Sequence, residues 1–246
     1  MSTAPAAPAA EPLSEPARVV NTFVAPVKAF TDLKRVSRWW SPFVLIVIAS
    51  YALIVVAGQK IGWEQLTENG LKLQPKQAAR LESLPAEQRP AAMERAVKFT
   101  RIISYCFPLA FNLPFLLIVA AILMASFNYG AGAEIPFRTA LGVVMYANLP
   151  GLIRAALAIV SLLAGANPES FNFQNPVATN PGYFMDPMAS PMLFRLASAV
   201  DVIIIWILVL NAIGFAAVSK LKRGTTFAVV FGWYIVLTLG SALLFS

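Results

Sequence analysis

Two ionisable residues, Arg154 and Asp201, lie within long apolar stretches of this 246-residue sequence. A charged side chain in hydrocarbon costs about 2.5 to 3.5 kcal/mol on insertion scales, so each needs a partner or water. Asn148 and Pro150 interrupt the stretch that contains Arg154, and this interruption predicts a kink in a helix. Asn211 lies further along the stretch that contains Asp201. These five residues are the candidate intramembrane polar cluster.

Two interpretations of this cluster remain open. Arg154 and Asp201 could form an ion pair that only fixes how two helices pack. The cluster could instead line a cavity for a small ligand or ion, as broken helices at membrane depth often do. Depth is compatible with pairing, because Arg154 lies roughly 24 Å from Arg138 and Asp201 roughly 28 Å from Lys220 along ideal helices.

Several residue combinations on which catalysis often depends are missing from the sequence. It contains no His, and its single Cys is Cys106, so it has no His base, no disulfide framework and no Cys/His metal site. A two-Asp intramembrane protease would need a second Asp within the apolar stretches, and none is present. A phosphate-binding loop of the G-x-x-x-x-G-K-[ST] type is also missing. We therefore predict a protein that is not an enzyme and uses no cofactor.

Composition predicts the elements that position these residues. Hydrophobic residues make up 58% of the sequence and charged residues 13%, against about 45–50% and about 25% in soluble domains. The apolar residues form runs long enough to cross a bilayer. We predict an all-α, polytopic membrane helix bundle with a short extramembrane helical hairpin after its first span. Its five transmembrane helices are predicted at about 41–58, 103–127, 137–163, 193–218 and 225–245 within a transmembrane domain of residues 41–246.

The amino-terminal part has a different composition. Residues 1–18 are mostly Ala, Pro, Glu and Ser, which predicts a disordered tail. Residues 19–40 combine apolar residues at helical spacing with basic ones, as in an amphipathic segment beside anionic head groups. A plain solvated linker is the alternative. The candidate membrane-surface residues are Lys28, Phe30, Lys34, Arg35, Arg38, Trp39 and Trp40.

We attribute the net charge of +7 to basic residues that orient the protein in the membrane, and not to nucleic-acid binding. A cytoplasmic amino terminus would place nine basic residues inside: Arg18, Lys28, Lys34, Arg35, Arg38, Arg138, Lys220, Lys222 and Arg223. The loop after the first span carries eight basic residues, which oppose this orientation. It also has five Glu and is about forty residues long, and the charges of such a loop have less influence on orientation. We expect a multi-pass protein of the inner (plasma) membrane with its carboxyl terminus outside.

Several short motifs occur in a characteristic order. They are Ala-Pro-Val-Lys-Ala-Phe at 25–30, Trp-Trp-Ser-Pro at 39–42, Tyr-Ala-Asn-Leu-Pro at 146–150, Asp-Val-Ile-Ile-Ile-Trp at 201–206 and Ala-Ile-Gly at 212–214. With them the chain resembles the bacterial branch of the Yip-domain (Ypt-interacting protein) membrane proteins over about 25–244. The resemblance implies a helical membrane domain with a cytoplasmic amino terminus. Eukaryotic relatives are associated with Rab GTPases and vesicle traffic, but the acidic and aromatic motif that they carry before the first span is not evident here.

Two functions follow from these observations. The leading hypothesis is a non-enzymatic membrane protein that scaffolds or recruits membrane or cytoplasmic proteins through the basic segment 19–38. The alternative is a small transporter or channel that uses the broken third span with Arg154 and Asp201.

The predicted topology can be tested with a reporter fused after Ser246. Because the short loops place their positive charges on the side of the amino terminus, we expect the reporter to behave as exported. Alkaline phosphatase activity would measure export, with a fusion in the loop at residues 132–136 as the cytoplasmic control. Cytoplasmic behaviour of the carboxyl-terminal fusion would contradict the topology.

Overall fold

The structure, a computed structural model, describes residues 11–187 and 189–244 and contains no strand among them. The helices before the third span are α1 (Glu15–Val24), α2 (Pro26–Asp32), α3 (Trp40–Lys60), α4 (Trp63–Lys72), α5 (Pro75–Glu82), α6 (Arg89–Cys106) and α7 (Asn112–Ala131). The helices that follow are α8 (Phe137–Ala147), α9 (Pro150–Leu163), α10 (Pro191–Ala199), α11 (Val202–Val218) and α12 (Arg223–Leu244).

Among the described residues, four helical stretches are long and apolar enough to cross a membrane: Trp40–Lys60, Arg89–Ala131, Phe137–Leu163 and α12. Helices α10 and α11 together pass the same test as a pair bent by 50°, and they make a fifth span if the pair counts as one. The predicted all-helical membrane fold is therefore confirmed. The short helices α4 and α5 occupy the predicted hairpin after the first span.

The fourth span differs from its prediction. An unbroken helix over 193–218 was expected, but the helix breaks between Ala199 and Val202. Asp201 has an extended backbone and accepts the N–H groups of Ile203 at 2.8 Å and Ile204 at 3.1 Å on its carboxylate. The first N–H groups of a helix have no partner within the helix, so an Asp at this position starts a new helix.

The second and third spans also have irregular backbones. The helix that contains the second span begins at Arg89, before the span predicted at 103–127, and a π-helical turn joins α6 to α7 at Phe107–Phe111, around Pro108. A proline has no N–H to donate, which explains the altered hydrogen bonding there. The third span is interrupted at Asn148 and Leu149, at the predicted site, yet α8 and α9 continue as one span.

The connections between spans gather on two opposite faces. We call one the amino-terminal face: it carries α1, α2 and the short connections at residues 132–136 and 219–222. Ser37 and Thr139 form a hydrogen bond of 2.9 Å there, at the start of the third span. On the other face, the Asn69 side chain of α4 donates to the carbonyls of Pro168 at 2.7 Å and Phe171 at 2.8 Å, in the long loop 164–190.

The main core joins α2 to the bundle. Phe30 and Leu33 are fully buried among apolar residues of α7, α8 and α11. Gly214 of α11 permits this approach, because a Cβ atom there would lie 2.5 Å from Val143 Cγ1 and 3.1 Å from Phe30 Cδ1. The amino-terminal helices are therefore part of the packed structure.

Replacing Gly214 should separate α2 from the bundle. For Gly214→Ala we expect a loss of about 1 to 3 kcal/mol in the free energy of unfolding, because the added methyl group overpacks this contact. Denaturant unfolding of the purified protein in detergent measures the change. Gly232→Ala is the matched control, since a Cβ there meets nothing within 4 Å. Equal effects of the two substitutions would contradict the proposed close packing.

Candidate functional site

The amino-terminal segment begins earlier than predicted. Helix α1 starts at Glu15, and Ser14 caps it by accepting the N–H of Ala17 at 3.4 Å. The predicted tail, residues 1–18, is therefore wrong for residues 15–18, which are helical. Its first ten residues lie outside the described part of the chain. The alternative of a plain solvated linker over 19–40 is likewise wrong, because helices α1 and α2 occupy most of that segment and pack on the bundle.

A buried arginine holds α1 and α2 together. Arg18 is 1% exposed, and its Nη2 lies 2.6 Å from Asp32 Oδ2. The Arg18 Nε atom donates to the same oxygen at 3.0 Å, and Nη1 lies 2.9 Å from Glu15 Oε1. A guanidinium that is removed from water remains charged at tolerable cost only when it has such hydrogen-bonded partners.

The same network reaches the bundle. Tyr146 of α8 and Ser41 of α3 each donate a hydroxyl to Glu15 Oε2 at 2.7 Å. Burial alone would raise the pKa of Glu15, but the hydrogen bonds from Ser41 and Tyr146 and the charge of Arg18 outweigh it and lower this pKa. Burial likewise opposes the charge of Arg18, and the hydrogen bonds to Tyr146 and Asp32 prevail, so its pKa is raised. Glu15 and Arg18 are both ionised at neutral pH.

Sequence reasoning did not identify this network. Glu15 and Arg18 were assigned to the tail because of the composition around them, and Asp32 was not singled out. The one local signal is Tyr146, whose hydroxyl lies in the apolar run 140–147.

The exposed side chains of the segment form what we call the amino-terminal surface. Its basic members are Lys28, Lys34, Arg35 and Arg38. Its apolar members are Val20 (57% exposed), Val24 (75%), Val27 (43%) and Trp40 (53%). Trp39 is half-buried and packs on Phe43. Phe30 was predicted to lie on the membrane surface, and this is wrong, because it fills the space left by Gly214 in the core.

Arg154 and Asp201, the predicted intramembrane charges, form an ion pair. Arg154 Nη2 lies 2.5 Å from Asp201 Oδ1. Asp201 is 2% exposed, whereas the side chain of Arg154 is 23% exposed. Within the described residues, Arg154 Nε and Nη2 are both buried without a hydrogen-bond partner, so the contact with Asp201 is an ion pair and not a hydrogen bond.

The loop 164–190 completes the surroundings of Asp201. Its carboxylate Oδ2 accepts the Thr179 hydroxyl at 2.6 Å and the Asn180 side-chain amide at 3.0 Å. Asn180 also exchanges two hydrogen bonds with Asn175, at 2.7 and 3.2 Å. Together with the two backbone donors of α11 and Arg154, five groups contact this carboxylate. Sequence reasoning found the charges but not these loop residues, which follow no periodic pattern.

The other members of the predicted polar cluster serve local structure. The Asn148 side chain donates to the carbonyl of Val144 at 2.8 Å, and Pro150 begins α9. The Asn211 side chain is buried and donates to the carbonyl of Ile207 at 2.9 Å. In the part of the chain that the structure describes, no hydrogen bond joins these three residues to Arg154 or Asp201. No group of three or more His, Cys, Asp or Glu side chains in that part could hold a metal ion.

The fold and these two charged networks define a multi-span helical membrane protein whose extramembrane segments are tied to the bundle through buried ion pairs. A model of the Yip1 domain matches residues 20–244, which is most of the chain. The chain belongs to the Yip1 domain family, and the resemblance inferred from the sequence motifs is confirmed at that level. No curated protein and no solved structure matches it.

A double-mutant cycle should detect the ion pair of Arg154 with Asp201. Asp201→Asn keeps an acceptor for the start of α11 but leaves Arg154 unpaired, and we expect a loss of about 3 kcal/mol in the free energy of unfolding. Arg154→Gln should cost a similar amount. The double variant should lose less than the sum, with a coupling of about 1 to 3 kcal/mol, measured by denaturant unfolding in detergent.

The control for this cycle is the exposed pair of Glu94 with Lys98, whose side chains are 67% and 71% exposed. The cycle of Glu94→Gln with Lys98→Gln should show little or no coupling, because water screens the charges. A coupling at Arg154 and Asp201 no larger than this would show that the two residues do not act as a pair.

Proposed function

We propose that this protein is a non-enzymatic membrane protein that scaffolds or recruits partner proteins through its amino-terminal surface. One observation carries the proposal. The network of Arg18, Asp32, Glu15 and Tyr146 fixes α1 and α2 to the bundle, while basic and apolar side chains of the same segment remain exposed.

A surface that is already ordered suits recruitment. A segment that is disordered before binding must give up conformational entropy when its partner docks, whereas a docked helix has lost that entropy on folding. The four basic residues favour an acidic partner and also draw the segment towards anionic lipid head groups. The exposed valines and Trp40 add apolar area that a partner could bury.

The cellular setting belongs to this proposal. The basic residues of the short connections lie on the amino-terminal face, which supports a cytoplasmic location for that face. We infer a bacterial inner (plasma) membrane, with the amino-terminal surface turned towards the cytoplasm and the carboxyl terminus outside. The lack of His and of a phosphate-binding loop supports a role without catalysis.

Transport through the third span has less support. A transport site built on an intramembrane charge needs that charge to be free to exchange its partners for the cargo. The carboxylate of Asp201 accepts four hydrogen bonds, lies against the Arg154 guanidinium and is 2% exposed, so it is already fully engaged within the protein. This geometry favours a packing role for the pair with Arg154.

Site-specific photo-cross-linking in cells tests the recruiting function. A photoreactive amino acid at Val24 or Lys28, both exposed, should give discrete protein adducts. Asp32→Asn should lower their yield several-fold, because it removes the carboxylate that holds Arg18 and loosens α1 from α2. Immunoblotting and mass spectrometry measure yield and identity.

Two controls make this experiment decisive. A probe at Lys76, exposed on the opposite face, should not give the same adducts. Glu94→Gln removes an exposed carboxylate from an ion pair elsewhere and should leave the yield at Val24 unchanged. If neither Val24 nor Lys28 gives a protein adduct, or if Asp32→Asn has no effect on yield, the proposed function is wrong.

A further inference from the structure

A second feature of the amino-terminal face is a groove of about 560 Å³ where three segments meet. One wall comes from Lys34, which follows α2 in the chain. The other walls come from the connection between α7 and α8 and from that between α11 and α12. Its lining includes Lys34, Glu134, Pro136, Val218, Lys220 and Leu221.

The groove carries positive charge that no acidic side chain pairs with among the described residues. Lys34 and Lys220 line it, both are exposed, and neither forms an ion pair with any residue that the structure describes. Glu134 is the acidic residue in the lining and forms no ion pair with described residues either. Two lysines against one glutamate give the groove a net positive charge.

Helix starts add to this positive potential. Helix α8 begins at Phe137, directly after Pro136 of the lining, and α12 begins at Arg223, two residues after Leu221. The amino-terminal end of a helix carries a partial positive charge from its unpaired N–H groups. Arg138 and Lys222 lie beside these two starts in the sequence.

The position of the groove indicates what kind of anion it receives. It lies where α7 and α11 end and where α8 and α12 begin, so it lies at the level where four membrane-spanning helices reach one surface of the bilayer. Val218 and Leu221 give it apolar lining beside the charged residues. A molecule with an anionic head and an apolar tail matches both parts of this lining.

We propose that this groove is a binding site for the phosphate head group of an anionic phospholipid. In this arrangement Lys34 and Lys220 face the phosphate, and the acyl chains leave over the apolar residues into the bilayer. The site does not depend on the recruiting function and shares only Lys34 with the amino-terminal surface.

The test uses the purified full-length protein, delipidated in detergent, with phosphatidylglycerol and phosphatidylcholine of identical acyl chains. Native mass spectrometry across a lipid titration gives the Kd of each lipid. We expect tighter binding of phosphatidylglycerol. The double variant Lys34→Gln, Lys220→Gln should weaken that binding about tenfold and leave phosphatidylcholine unchanged.

Two further variants separate a site from a general charge effect. Lys60→Gln with Lys76→Gln removes the same charge from exposed positions away from the groove and should leave binding of phosphatidylglycerol unchanged. Glu134→Gln removes the carboxylate that opposes the phosphate and should tighten binding, a gain that misfolding cannot produce.

Three results would overturn the proposal. Phosphatidylglycerol could bind the double lysine variant as tightly as it binds the original protein. The control pair could weaken binding as much as the groove pair does. Finally, inorganic phosphate could compete at the groove while the two lipids bind equally, which would assign the site to a soluble phosphate compound. The recruiting function is measured separately, because its test changes Asp32 and leaves Lys220 intact.

Discussion

A charge that leaves water must be paired, and this constraint organises both ends of the structure. At the amino-terminal face, Arg18 forms ion pairs with one carboxylate of α1 and one of α2. The α1 carboxylate, Glu15, also accepts hydrogen bonds from the hydroxyls of Tyr146 and Ser41. Deeper in the bundle, Asp201 is shared by Arg154, the start of α11 and the loop 164–190. In both places, polar groups attach a non-spanning segment to helices that are otherwise almost wholly apolar. Loss of one partner would leave the other charged and buried, which is the costly outcome.

The spans could be predicted from the sequence because crossing a bilayer is a local property. A run of apolar residues of sufficient length is visible without knowledge of any neighbour, and α3, α12 and the third span lie close to their predicted limits. The break before α11 is different in kind. It depends on Asp201 meeting Thr179 and Asn180, which come from a loop with no periodic pattern. The charge of Asp201 within an apolar stretch indicated that this residue needs a partner, but it did not indicate that the helix breaks there.

The amino-terminal segment shows a second limit of sequence reasoning. Helical spacing of apolar residues correctly indicated amphipathic helices over much of 19–40, but an apolar face can be covered by lipid or by protein with equal ease. Phe30 is covered by protein, because Gly214 removes the side chain that would block it. Val20, Val24 and Val27 have no such complement and stay exposed. The difference lies in a residue far along the chain, which a local pattern does not contain.

The helix Arg89–Ala131 sets a vertical dimension for the molecule. Its 43 residues would extend about 65 Å at the usual rise, roughly twice the thickness of the hydrocarbon layer of about 30 Å. Its early half must therefore project beyond the acyl chains, and α4 and α5 pack beside that projecting half. The projecting half of this helix therefore holds the short helices α4 and α5 outside the hydrocarbon layer, at a distance that its length determines. A partner that docks on α4 or α5 would therefore be held at a fixed distance from the bilayer.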